Sequence, residues 1–142
     1  MGIFACAGAR PNNMGVKDGR LAPCGPSPNC VSSDAPDAQH FVAAFLPAVP
    51  MGEAWPRLRE LVVALPRTEI VGETTDYLHA ECRSAVFGFI DDLELHGRPA
   101  QNLIAVRSAA RLGYSDFGVN RRRVENLRAM LLNRGLIRAA EK

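Results

Sequence analysis

Four side chains in the middle of the chain could together bind a divalent metal ion: His79, Glu81, Asp92 and Glu94. Because alternate residues of a β-strand share a face, His79 and Glu81 would lie on one side of a strand, and Asp92 and Glu94 on the same side of its neighbour. Imidazole and carboxylate groups placed in this way can coordinate such an ion and support hydrolysis. The more common outcome for such a set is a hydrated sheet face with cross-strand polar pairs.

The stretch "FGFIDDLEL" (87–95) places one of two adjacent aspartates on the apolar face of its strand. If the following hairpin is centred near Pro99, Asp91 lies on the apolar face and opposite Arg107. A buried charge is costly unless it is paired, and arginine can bridge a carboxylate through two bonds. We therefore predict that Asp91 is buried and bridged to Arg107, with Asp92 more exposed. Alternatively, this pair lines a pocket and orients a polar ligand.

A third set of polar residues lies where the last strand should meet the last helix. Three consecutive arginines (121–123) fall in the first turn of that helix, where the helix dipole disfavours cations. An acidic neighbour or a bound anion would offset this cost, and Asn120 is a suitable N-cap. We expect one polar cluster here, either structural or able to bind a ligand or partner. Its members would be Arg107, Tyr114, Asp116, Asn120 and Arg121.

The loop "CGPSPNCVSS" combines two cysteines with turn-forming residues. Cys24 and Cys30 would form a disulfide in an oxidising compartment, or remain thiols in a reducing one. Their five intervening residues exceed the roughly two to four of a zinc half-site. Asn29, Ser32 and Ser33 complete a loop motif that could contact a partner, although the two serines also suit turn positions.

Regular structure should begin after residue 50. Apolar residues with helical spacing in "EAWPRLRELVVALP" predict a first helix, and a second is expected from 121 to about 134. Four strand-like segments lie between them, at 68–72, 77–83, 86–95 and 102–109. Their short connections favour an antiparallel meander, so we predict an α+β two-layer sandwich with both helices on one face of a four-stranded sheet.

Proline-rich residues 15–50 should form an extended, irregular arm before the α+β core at 51–142. Residues 15–142 are thus expected to form one domain, after a disordered leader at 1–14. The chain has 142 residues, and no apolar run approaches the roughly 20 that a transmembrane helix needs. Taken as given, this sequence favours a cytoplasmic protein.

Of the 17 basic residues, 15 are arginine, and seven basic residues follow residue 116 against two acidic ones. This excess could attract nucleic acid, anionic lipid or an acidic partner, although a solvated helix face is the simpler interpretation. Nucleic-acid binding is disfavoured because the region lacks aromatic stacking residues or a known motif. The chain also lacks G-x-S-x-G, H-E-x-x-H and phosphate-loop motifs.

Three stretches, "GRLAPCGPSPNCVSS", "RSAVFGFIDDLEL" and "AVRSAARLGYSDFGVNRRRVENLR", resemble the bacterial and plastid family known as domain of unknown function 1499. The resemblance spans residues 15–132. Here "RSAAR" stands where the family pattern suggests "RSASR", so Ala110 replaces an expected serine. The resemblance implies relatives with a membrane or export segment, and hence a cell-envelope location, but implies no activity.

Two functions are consistent with these features. The first is a non-enzymatic module that binds an unidentified protein partner or a small anionic ligand through the loop motif and the arginine cluster, without a cofactor. The second is a small metal-dependent hydrolase that uses His79, Asp91, Asp92 and Glu94. We favour the binding module, because no nucleophile stands at a motif-like spacing from a base.

Overall fold

The computed structural model describes residues 8–113 and 115–139. Part of the expected leader (1–7) and Tyr114 lie outside these residues. The described residues form two α-helices and nine β-strands, in the order β1 (Val16–Lys17), β2 (Arg20–Leu21), β3 (Cys30–Ser32), β4 (Leu46–Pro47), α1 (Met51–Ala64), β5 (Thr68–Glu73), β6 (Tyr77–Arg83), β7 (Ile90–Arg98), β8 (Leu103–Ala110), α2 (Val119–Asn133) and β9 (Ile137–Arg138).

The predicted α+β sandwich is confirmed, with one correction to the strand count. The main sheet has five antiparallel strands in the order β3-β8-β7-β6-β5, not four. The additional strand, β3, comes from the proline-rich arm and pairs Cys30 with Ala109. Three residues are too few to show the alternation by which a strand is recognised in a sequence.

The helices and one sheet face enclose the hydrophobic core. Its buried members come from α1, α2 and the central strands, and include Leu58, Leu61, Val62, Leu78, Leu93, Leu95, Val106, Val124, Leu127 and Leu131. On α2 the spacing of Val124, Leu127 and Leu131 matches the predicted buried stripe. Within the described residues, no helix is both long and apolar enough to cross a membrane.

The predicted register between β7 and β8 is wrong by three residues. Asp91 lies opposite Ala110, and Arg107 lies opposite Glu94. The turn falls later than expected, because β7 continues to Arg98 before a short 3-10 helix (Pro99–Gln101), and Asn102 follows that helix with φ 51°. A shift by an odd number of residues exchanges the faces of β8, so Arg107 is on the face opposite Asp91.

The second face of the sheet is covered by the arm and is not a hydrated surface. The amide of Gly15 in the arm donates to Glu94 Oε2 at 2.8 Å, and Arg10, which precedes the arm, donates through Nε to Glu81 at 2.6 Å. On the same face, Arg98 Nη2 lies 2.7 Å from Asp34. These contacts bury a sheet face that carries several charged groups.

Candidate functional site

The four metal-ligand candidates lie on the arm-covered face, and three of them converge. Ligand atoms of His79, Glu81 and Asp92 lie within 4.8 Å of one another. Asp92 accepts hydrogen bonds from His79 Nε2 at 2.7 Å and from Arg111 at 2.9 Å. Burial alone would raise the pKa of Asp92, but the bonds from Arg111 and His79 outweigh it and lower that pKa.

Arg111 takes the place that a metal ion would take among these carboxylates. Its guanidinium donates to both Asp92 and Glu81, and its side chain is 5% exposed. The carboxylates in turn raise the pKa of Arg111, so it remains a cation. A metal ion would have to displace this guanidinium, so the geometry favours a structural ion-pair network. The metal set remains a prediction.

Glu94, the fourth candidate, belongs to a separate contact set. Its fully buried carboxylate accepts from the Tyr77 hydroxyl, the Gly15 amide and Arg107 Nη1, the last at 3.2 Å. Burial and the neighbouring Glu94 charge raise the pKa of Tyr77, which keeps its hydroxyl as a donor. Arg107 thus fixes Glu94 beneath the arm and does not meet Asp91.

Asp91 lies on the helix side of the sheet, where its partner is Arg123 at 2.9 Å. Burial raises the pKa of Asp91, although Arg123 opposes this effect. The predicted exposure order is also wrong, because Asp92 is 1% exposed and Asp91 9%. Both aspartates are buried because helices cover one face of β7 and the arm covers the other.

Some members of the expected polar cluster come together around Arg123. This side chain also donates to Asn120 Oδ1 at 2.7 Å and to Ser108 Oγ at 3.2 Å. Asn120 Nδ2 donates to Asp116 at 2.8 Å. Arg123 and Ser108 were not predicted as members, although Arg123 stands three residues after Asn120 and therefore on the same helix side.

Two other predicted members lie elsewhere. Arg107 is on the arm-covered face, and Arg121 donates to the backbone carbonyls of Gln39 and Phe41 at 2.9 Å. Arg121 therefore fastens the arm to α2. Tyr114 falls outside the described residues, and its expected role stays a prediction.

The predicted N-cap is wrong: Gly118, with φ 79°, precedes the first helical residue, Val119. Asn120 is instead the second residue of α2. Asp116 supplies the capping acceptor, because its carboxylate accepts from the amides of Gly118 at 2.8 Å and Asn120 at 3.0 Å. Burial would raise the pKa of Asp116, but these bonds and the Asn120 side chain lower it. This carboxylate offsets the cationic first turn.

Replacement of Asn120 by alanine should lower the free energy of unfolding by about 2–3 kcal/mol, because it leaves Ser108, Arg123 and Asp116 short of a partner at a fully buried position. Urea denaturation would measure the change. Asn133→Ala, at an exposed position on the same helix, is the control. Equal midpoints for the two variants would contradict the structural role of Asn120.

The loop motif links the arm, the sheet and the start of α2. Cys24 and Cys30 form a disulfide. Asn29 Nδ2 donates to the Gly113 carbonyl at 2.6 Å. The hydroxyls of Ser32 and Ser33 accept from the amides of Asp34 and Val106, respectively, which suits turn and strand-edge positions.

A cavity of about 760 Å³ lies between the β6–β7 turn and α2. Apolar side chains dominate its walls: Leu65, Phe87, Phe89, Leu112, Phe117 and Val119. The pair Asp91–Arg123 and the buried thiol of Cys82 also line it, and exposed Arg67, Arg83 and Arg122 stand around it. The sequence did not reveal this cavity, because its aromatic residues alternate as if they continued β7.

The fold and these sites define a small α+β sandwich with an arm-covered ion-pair network on one face and an apolar cavity on the other. The family model described as "Protein of unknown function (DUF1499)" matches residues 20–131. The chain therefore belongs to this family, which confirms the resemblance. Comparison with curated proteins finds no significant match. Comparison with solved structures finds none either.

Proposed function

We propose that this chain is a non-enzymatic binding module whose cavity takes a small amphipathic anion. The ligand would have an apolar body and one carboxylate or phosphate group. The observation that carries the proposal is an apolar cavity bordered by arginines that form no ion pair among the described residues. Size supports it, because about 760 Å³ lies within the range of roughly 300–1,000 Å³ typical of small-molecule sites.

The cavity walls offer apolar surface that the fold leaves unused. Phe87 is 64% exposed and Phe117 is 85% exposed, while Phe89 and Leu112 are each more than two-fifths exposed. Single exposed apolar residues are ordinary, but several around one cavity are typical of a binding site. An apolar ligand body would remove these side chains from water, which stabilises the complex.

The charges around the cavity favour an anionic group on the ligand. Within the described ranges, Arg67, Arg83 and Arg122 each donate to a backbone carbonyl and form no ion pair. The two nearby carboxylates are already engaged, since Asp91 is bridged to Arg123 and Asp116 caps α2. Unpaired guanidinium groups are strong donors to carboxylate or phosphate oxygens.

The reactive groups near the cavity favour binding over catalysis. Burial raises the pKa of the Cys82 thiol, and a protonated thiol is a poor nucleophile. Asp91, the cross-strand neighbour of Cys82, is bridged to Arg123, which engages its carboxylate. The hydrolase alternative would need Arg111 to leave the acidic residues on the opposite sheet face, and no described contact favours that movement.

Titration calorimetry with monomeric dodecanoate tests the proposal. We expect one dodecanoate to bind per chain. The double variant Arg83→Gln/Arg122→Gln should bind it at least about tenfold more weakly than the wild type, a loss of about 1.4 kcal/mol for two charge-assisted bonds. Arg57→Gln/Arg134→Gln removes two exposed arginines away from the cavity and should leave affinity unchanged. Dodecyltrimethylammonium has the same chain length with the opposite charge. Equal affinity for the two amphiphiles, or no binding of dodecanoate, would overturn the proposal.

A further inference from the structure

We infer that the surface around the cavity mouth docks on an anionic lipid bilayer, so that the amphipathic anion is taken from, or delivered to, a membrane. This inference rests on the proposed function and adds the source of the ligand. The docking surface comprises two segments, the β6–β7 turn (84–89) and the described residues of the loop before α2 (112–113 and 115–119), together with the three exposed arginines that border the cavity.

Both segments present large apolar side chains to solvent beside the same cavity. Val86 is 80% exposed at the tip of the β6–β7 turn, next to the exposed ring of Phe87. Phe117 is 85% exposed on the second segment. Two segments that are distant in sequence thus place exposed rings, Phe87 and Phe117, at the same cavity, which is typical of an interaction surface.

Backbone contacts hold the β6–β7 turn in this exposed form. The Ser84 amide donates to the Phe89 carbonyl at 2.8 Å, and the Phe89 amide donates to Ser84 Oγ at 3.0 Å. Arg83 Nη1 donates to the Gly88 carbonyl at 3.1 Å, and Gly88 has φ 69°. A turn fixed in this way loses little conformational entropy on docking.

The second segment holds Phe117 outward through an unusual backbone conformation. Phe117 has φ 53°, a left-handed value that bulky residues rarely adopt, and Gly118 follows with φ 79°. Asp116 stabilises this conformation by accepting from the Gly118 amide, and Arg122 donates to the Phe117 carbonyl at 2.9 Å. Such strain at an exposed aromatic residue indicates a functional position.

The charges select an anionic bilayer as the occupant. Arg67, Arg83 and Arg122 stand among the apolar side chains and form no ion pair within the described chain. Aromatic rings with adjacent basic groups suit the headgroup region, where the rings enter the acyl boundary and the cations meet lipid phosphates. The cavity opens between these groups, so a lipid-derived anion can pass between bilayer and cavity without crossing water.

Vesicle co-sedimentation of the full chain tests this inference. The vesicles are phosphatidylcholine alone or phosphatidylcholine with roughly 30 mol% phosphatidylglycerol, which gives the surface a negative potential. We expect binding to the anionic vesicles to be at least about tenfold tighter, and to weaken as the salt concentration rises. Val86→Asp changes a residue that does not line the cavity and should weaken vesicle binding about tenfold while dodecanoate affinity stays unchanged. Val63→Asp, an exposed valine on α1, is the matched control.

The outcomes separate this inference from the proposed function. Dodecanoate binding without preference for anionic vesicles overturns the docking surface and leaves the cavity ligand in place. Vesicle binding without dodecanoate binding supports docking and overturns the proposed ligand. Concentration-dependent self-association that Val86→Asp abolishes, with no vesicle binding, would assign the surface to a second copy of the chain and overturn the inference.

Discussion

Arg111→Met should lower the free energy of unfolding by about 3–5 kcal/mol, the usual loss when one partner of a buried ion pair is removed. The substitution leaves the nearly inaccessible Asp92 without its strongest partner, and Glu81 without one of its two arginines. Methionine fills a similar volume, so the effect reports the lost charge more than a cavity. Urea denaturation monitored by circular dichroism would measure it.

Arg59→Met is the matched control, because Arg59 also binds a carboxylate through two bonds, to Glu73 at 2.8 and 2.7 Å. That pair is exposed, with side chains 44% and 37% accessible. Exposed pairs contribute little to stability because water solvates the remaining partner. Similar changes in midpoint for the two variants would show that the arm does not exclude water from Arg111.

The fold class could be predicted because both helices and the long strands carry clear periodic patterns. The register of β8 could not, since "LIAVRSAA" is apolar on both faces: Leu103 and Ala105 on one, Ile104 and Val106 on the other. Either face of β8 could therefore pack against the hydrophobic core, and only the geometry of the turn decides which one does. Asn102 fixes that geometry through a left-handed conformation.

The ion-pair partners could not be predicted for a related reason. Arginine is so abundant here that several guanidinium groups could reach each carboxylate, and tertiary position decides between them. Arg123 reaches Asp91 only because α2 crosses that end of the sheet, and Arg111 reaches Asp92 only because it continues β8 on the arm-covered face. The chemistry of the central residues was visible in the sequence, but their pairing was not.

The cavity depends on backbone conformations that side-chain patterns do not encode. Val86, Phe87 and Phe89 alternate as in a strand, yet β7 begins only at Ile90. The left-handed Gly88 belongs to a turn that leaves their side chains exposed. Glycine was the available signal, since it is the residue that adopts this conformation without strain.

The same substitution should affect the two adjacent aspartates to very different extents. Asp92→Asn should lower the free energy of unfolding by about 3 kcal/mol at neutral pH, because a buried arginine loses a charged partner. Asp91→Asn should change it by less than about 1 kcal/mol, because Arg123 keeps its bonds to Asn120 and Ser108. This order is the reverse of the one implied by the burial predicted from the sequence, in which Asp91 was the buried aspartate.

The pH dependence of stability distinguishes the two carboxylates independently. The folded protein lowers the pKa of Asp92, because the bonds from Arg111 and His79 outweigh burial. Asp92 therefore stabilises the fold above its unfolded pKa of about 3.9, and this contribution is lost as the pH falls through the lower folded value. The difference between the wild type and Asp92→Asn should shrink in strong acid.

The contribution of Asp91 to stability changes with pH in the opposite direction. Burial raises its pKa in the folded state, so its contribution is fully present below about pH 3.9 and is lost as the pH rises through the higher folded value. Asparagine does not titrate, so the Asp91→Asn variant should gain stability relative to the wild type as the pH rises from about 4. Denaturation midpoints of the three proteins between about pH 2 and pH 8 would measure both trends. Parallel curves for the two variants would mean that folding shifts the pKa values of Asp91 and Asp92 in the same direction. That result would contradict the different environments that Arg123 and Arg111 create for the two carboxylates.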